Sequence, residues 1–169
     1  MNKRRKVMMV NIKSIHNLLA ENDFFKGMSS EYLKTLAGCG KLAHFKGGDF
    51  LIREGDCANA FYLIRSGKVA IECHTPASGE VSIARIGAGD ITGYSWLFPP
   101  YRNNFDSLAL SDVSAVVLNG KCLRSKAEQD HELGYQLMKR FAQVMHDRLE
   151  ATRHQMLDVY ANGRTSNAG

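Results

Sequence analysis

The chain has 169 residues, with 22 Lys and Arg against 17 Asp and Glu, a formal charge of +5, and 44% hydrophobic against 23% charged residues. That length suits one ordinary domain and is too short for two well-packed ones. The composition is that of a globular chain with a real core, and fifteen Gly against three Pro lean towards turn-rich β structure.

Four of the positive charges, Lys3, Arg4, Arg5 and Lys6, fall within residues 1–11, read as a basic disordered N-terminus. The remainder is close to neutral, which argues against a general nucleic-acid-binding surface. Val7 to Val10 is too short for the apolar core of a signal peptide. No run approaches the roughly 20 apolar residues of a membrane span, so a cytoplasmic protein with no membrane partner is expected. Cys39, Cys57, Cys73 and Cys122 are scattered, with no C-x-x-C pair. That spacing suggests neither a metal site nor a disulfide framework, and reduced buried thiols are expected.

Ile12, Ile15, Leu18 and Leu19 recur at helical spacing, and Asn22, Asp23 and Gly27 end that face. Ser29 or Ser30 can cap a second short helix carrying Leu33 and Leu36, closed by Gly38 and Gly40. From Lys41 the texture becomes β: runs at 42–45, 50–52, 60–64, 69–73, 81–86 and 113–118 alternate with glycine turns roughly every dozen residues. That is the spacing of a sandwich or barrel spanning about 41–120, with Ser78-Gly79 as a hairpin tip.

From about Ser125 to about Tyr160 there is no Pro and a single Gly, Gly134, so one long helix is expected. Met138, Ala142, Met145, Leu149, Thr152, Met156 and Val159 step in a 4-3 pattern for three heptads, the seam of a two-stranded coiled coil. Leu133, Leu137, Phe141 and Val144 form a second apolar face, suited to packing on the chain's own barrel. Residues 161–169 read as a disordered tail.

Gly48-Asp49 and Gly55-Asp56 are paired turn formers. They frame Phe50 to Ile52 and precede a buried strand, Phe61 to Ile64, that ends at Gly67; Gly87-Ala88-Gly89-Asp90 marks a further corner. This framework resembles the cyclic-nucleotide-binding domain of Crp/Fnr regulators, protein-kinase-A regulatory subunits and cyclic-nucleotide-gated channels, over roughly residues 12–160. The resemblance implies a mainly β, α+β fold: a double-stranded β-helix jelly-roll barrel with short N-terminal helices and a long C-terminal dimerisation helix. An enzyme on the related metal-binding barrel is not indicated, because no H-x-H with a following Glu appears. The six His are dispersed, and no nucleophile–base pairing is visible.

In that family a segment from Gly-Glu to Arg-small-small-Ser/Thr binds the ligand: the Glu accepts from the ribose and the Arg pairs with the cyclic phosphate. Here it runs from Gly93 to Ser107. Gly93 and Leu97 fit. Tyr94 replaces the Glu, and Trp96 a small residue following Ser95. Arg102 or Asn103 stands at the Arg position, and Asp106 lies near the Ser/Thr. A hydrogen bond to a charged group contributes roughly 1.5–3 kcal/mol, and an unpaired buried charge costs roughly 3–5 kcal/mol. These departures would weaken a micromolar site by at least about a thousandfold.

Two readings of the segment stay open: an altered ligand, or a vestigial site filled by Trp96, Phe98 and Phe105 with Arg102 paired to Asp106. Arg148 to Arg153 resembles the purine-reaching part of the bacterial cAMP receptor, which adds Arg148 and Thr152 to the candidate ligand residues. The resemblance thus implies a homodimeric regulator sensing a cyclic nucleotide (cAMP or cGMP) or another small anionic effector. The alternatives are a ligand-free dimeric module that docks a protein partner, and a truncated Crp/Fnr-type regulator. A winged helix-turn-helix would need several tens of residues after Tyr160, so no direct DNA binding is expected.

Overall fold

The computed structural model describes residues 14–77 and 79–165, without the side chains of residues 162–165. The basic stretch at residues 3–6, Ile12, Ser78 of the expected hairpin tip and the end of the tail (166–169) lie outside the described residues.

Helix α1 (residues 14–20) buries Ile15 and Leu19. Asn22 then ends that face by accepting from the Phe24 amide at 2.9 Å, which starts a single 3-10 turn, Asp23–Phe25. Helix α2 (Ser30–Ala37) is capped by Ser29, whose hydroxyl accepts from the Tyr32 amide at 3.2 Å. It buries Leu33 and Leu36.

Eight strands follow: β1 (Gly40–Phe45), β2 (Phe50–Ile52), β3 (Ala60–Ser66), β4 (Val69–Thr75), β5 (Gly79–Ile86), β6 (Ile91–Thr92), β7 (Asp106–Ala109) and β8 (Val113–Asn119). They form two four-stranded sheets, β1-β8-β3-β6 and β2-β7-β4-β5, and every described strand pairing is antiparallel. This is the mainly β jelly roll of the sequence reading. Strands β6 and β7 are additional to the six apolar runs, and the first two residues of β7, Asp106 and Ser107, end the segment read as the ligand site.

The alternation along β3 separates two layers. Phe61 packs with Phe24 and Phe25 at ring distances of 5.4 and 6.5 Å. Ile64, with Tyr62 against it, joins the core between the sheets, which includes Leu51, Ile52, Val69, Ile71, Phe105, Val113 and Ala115. At the far end of β3, Gly67 has φ +90, and a Cβ there would collide with the Asp112 carbonyl. Only glycine allows that crossing.

The long helix expected from about Ser125 is two helices, α3 (Gly120–Gln129) and α4 (His131–Thr165). Asp130 interrupts them at φ −133 and ψ 99. Its carboxylate accepts from the Leu133 amide at 3.1 Å, so it acts as the N-cap of α4. The molecule divides into two compact units at Gly134–Tyr135. Within α4, Leu133, Leu137 and Phe141 are buried and Val144 is half-buried.

The expectation of four reduced cysteines needs correction. Cys39, just before β1, and Cys122, in the first turn of α3, form a disulfide across 83 residues of sequence. The pairing of Gly40 with Leu118 at the ends of β1 and β8 brings them together. Cys57 is exposed and free, and Cys73 is free and half-buried.

Candidate functional site

The segment from Gly93 to Ser107 follows a tight corner. Asp90 accepts from the Gly87 amide at 2.8 Å, and the Gly89 amide donates to Ile64 at 2.8 Å, delivering the chain into β6 beside β3. Gly93 then turns away with φ +83. A Cβ there would lie 2.7 Å from the Ala60 carbonyl oxygen, so the turn requires glycine.

Tyr94 precedes the 3-10 turn Ser95–Leu97. Its ring lies 5.7 Å from that of Phe105, and both belong to the packing of the inter-sheet core. Tyr94, at the position where the resemblance expects a ribose-binding Glu, is thus half-buried aromatic packing. Ser95 is buried, and its hydroxyl has no hydrogen-bond partner among the described residues.

Trp96 is 1% exposed and packs against the first residue of α3: a Cβ on Gly120 would lie 2.7 Å from the Trp96 Cβ. Arg124 donates to the Trp96 carbonyl at 2.6 Å and stacks over the Tyr101 ring at 4.2 Å. The bulk at position 96 therefore joins the segment to α3. Phe98 is exposed, so of the three aromatics expected to fill the segment only Trp96 and Phe105 are buried.

Arg102 is exposed and donates to the Gly55 carbonyl at 3.0 Å. The expected ion pair with Asp106 is not formed. The Asp106 carboxylate instead accepts from the Glu54 amide, just beyond β2, at 2.6 Å. Asn103 is fixed by its backbone, its amide donating to Asp56 and its carbonyl accepting from Gly55, both at 2.9 Å. It borders a cleft of about 260 Å3 shared with Arg53, Cys57, Asn59 and Tyr62.

Other polar groups here were not singled out from sequence. Thr92 and Ser107, both fully buried, hydrogen-bond through their hydroxyls at 3.2 Å. Tyr62 borders both the 260 Å3 cleft and a larger one of about 590 Å3, and burial pushes its hydroxyl above the usual tyrosine range. A tyrosine inside a strand of apolar residues is the only signal that could have marked it.

Arg148 and Thr152 lie one turn apart on α4, where the Thr152 hydroxyl donates to the Arg148 carbonyl at 2.9 Å. Along the same helix Met138, Leu149, Met156 and Val159 are 44%, 66%, 53% and 72% exposed. Ala142 and Thr152 are also exposed, and Met145 is half-buried. Among the described residues no cluster of His, Cys, Asp and Glu could hold a metal ion, and no helix is long and apolar enough to cross a membrane.

Comparison with known proteins places this geometry. A CRP-like cAMP-activated global transcriptional regulator of Mycobacterium tuberculosis is 26% identical over 142 residues, 84% of this chain and 62% of the relative. The chain thus spans under two thirds of that relative's length. A crystal structure of a cyclic nucleotide-binding protein from Geobacter metallireducens superimposes with a TM-score of 0.71 at 28% identity, over 80% of this chain and 98% of the other. A cyclic nucleotide-binding domain from Methylobacillus flagellatus shares the fold with a TM-score of 0.74 at 22% identity, covering 87% and 83%. The family model for the cyclic nucleotide-binding domain matches residues 42–130. The chain belongs to the cyclic nucleotide-binding domain family.

Proposed function

We propose that the chain is a cytoplasmic regulatory domain, homodimeric through the α4 seam, whose barrel senses a small effector by a chemistry other than the usual cyclic-nucleotide mode. One observation carries this reading: the Tyr94 and Phe105 rings pack together where a ribose acceptor would be needed, while Arg102 is bonded to the Gly55 carbonyl. In the cleft beside Asn103, Arg53 and Asp56 carry opposite charges, while the Ser95 hydroxyl, the Asn103 amide and the Tyr62 hydroxyl are neutral groups. They suit a nucleoside-like effector better than a cyclic phosphate. On this reading Gly93 to Trp96 shape one wall, Asn103 supplies hydrogen bonds, and Arg148 and Thr152 belong to the helix that carries the signal. Neither direct DNA binding nor catalysis is proposed for these residues.

Calorimetric titration with cAMP, cGMP, cyclic dinucleotides and adenosine tests this. The expected result is no cAMP binding at concentrations up to about 100 μM, because a thousandfold loss would push a micromolar site into the millimolar range. Submicromolar cAMP binding that disappears in Arg102→Ala would overturn it.

A second reading, a ligand-free module that docks a protein partner, is favoured by the apolar stripe exposed along α4. It predicts no heat with any nucleotide. Both readings require a dimer: light scattering at tens of micromolar should give twice the chain mass, and Met145→Glu should halve it, since a charge at a seam position opposes coiled-coil pairing.

A further inference from the structure

We propose that the Cys39–Cys122 bond is a thiol–disulfide exchange site for anionic low-molecular-weight thiols. The proposal is independent of the effector reading above. Three features meet at this bond.

The first is a route. Cys39 is only 8% exposed, but it lines the 590 Å3 cleft together with Lys41, His44, Asn59, Tyr62 and Asn119. The cleft has the volume for a small peptide thiol. The second is charge. Lys41 and His44 are exposed, and no acidic residue among the described ones lines the cleft, so its field favours an anion. The third is the leaving group. Cys122 sits in the first turn of the ten-residue α3, its amide bonded to the Asn119 side chain at 2.8 Å. A thiolate released there is stabilised by the helix N-terminus, and the better-stabilised thiolate leaves faster.

The reaction follows from this asymmetry. An entering thiolate attacks the Cys39 sulfur and forms a mixed disulfide, while the electron pair of the broken S–S bond leaves with Cys122. A second thiolate attacks the sulfur of the bound small thiol. That step releases the small disulfide and leaves Cys39 as a thiolate. Two thiols are thereby oxidised to one disulfide and the protein gains two electrons; the small disulfide drives the reverse. The bond joins the start of β1 to the start of α3. There the Gly120 amide donates to Asn59 at 2.8 Å and Arg124 holds the Trp96 carbonyl, so the exchange acts where α3 meets the Gly93–Ser107 segment.

The test compares reduction of the folded chain by glutathione and by neutral β-mercaptoethanol at equal thiolate concentration. A Cys57→Ser background removes the exposed free thiol, and alkylation with mass spectrometry reads the products. Reduction should be first order in thiol and faster than global unfolding. Lys41→Glu should slow glutathione about three- to tenfold and leave β-mercaptoethanol within about twofold. In Cys122→Ser, oxidised glutathione should exchange onto Cys39, the Cys39 thiolate displacing one glutathione thiolate. A rate independent of thiol concentration, equal slowing of both thiols by Lys41→Glu, or no disulfide in the air-oxidised chain would each overturn the proposal. The kinetic comparison needs no cysteine-pair variant, so misfolding of Cys122→Ser would not obscure it.

Discussion

At position 93 a single methyl group would meet the Ala60 carbonyl at 2.7 Å on a backbone already at φ +83. Gly55 has a similar φ of +82, but nothing lies within 4 Å of where its Cβ would be. The two positions separate backbone strain from collision. Gly55→Ala should cost about 1 kcal/mol, and Gly93→Ala roughly 2–3 kcal/mol as strain and overlap add. Urea midpoints compared at unchanged slope would measure both. The family resemblance marks Gly93 because it opens the ligand segment. Directions taken by neighbouring side chains were far less legible. Arg102 and Asp106, four residues apart and opposite in charge, read as an ion pair, yet each is bonded to backbone instead. Backbone donors and acceptors leave no trace in a sequence. Trp96 was legible as unusual bulk, but its packing on Gly120 depends on two segments more than twenty residues apart.

Two helix caps organise the C-terminal elements. Asn119 accepts from the Cys122 amide and starts α3, and Asp130 accepts from the Leu133 amide and starts α4. Replacing either by Ala should lower stability by about 1 kcal/mol, readable as a shifted urea midpoint. Far-ultraviolet dichroism should change little, because the capped helices persist. The sequence predicts one helix here, since no Gly or Pro separates Lys121 from His131. An Asp within helical periodicity looks like an ordinary surface residue until its backbone leaves the helix. The strands show the same dependence on length. Runs such as Ala60–Ser66 and Val113–Asn119 are long enough for apolar composition to declare them. Strands β6 and β7, of two and four residues, are held by their neighbours, β6 at a sheet edge by β3 and β7 between β2 and β4, and carry too little pattern of their own.

Across the whole molecule, one covalent bond encloses all eight strands, because Cys39 precedes β1 and Cys122 follows β8. A loop of 83 residues removes much conformational freedom from the unfolded chain, and losing a natural disulfide typically costs about 2–5 kcal/mol. Cys39→Ser should therefore lower the unfolding midpoint. Dithiothreitol should lower that of the unaltered chain similarly and leave the variant's unchanged. Such a pairing was not legible, since nothing local connects two cysteines this far apart until β1 and β8 are in register. The same bond changes how the molecule carries load. With Cα atoms 5.7 Å apart, the chain enters and leaves the barrel at one point. Tension between the flanking segments runs through the sulfur atoms and bypasses every strand. Once the bond is reduced, the barrel becomes a link in series with its neighbours, and a pull that it had never felt would begin to peel β1 from β8.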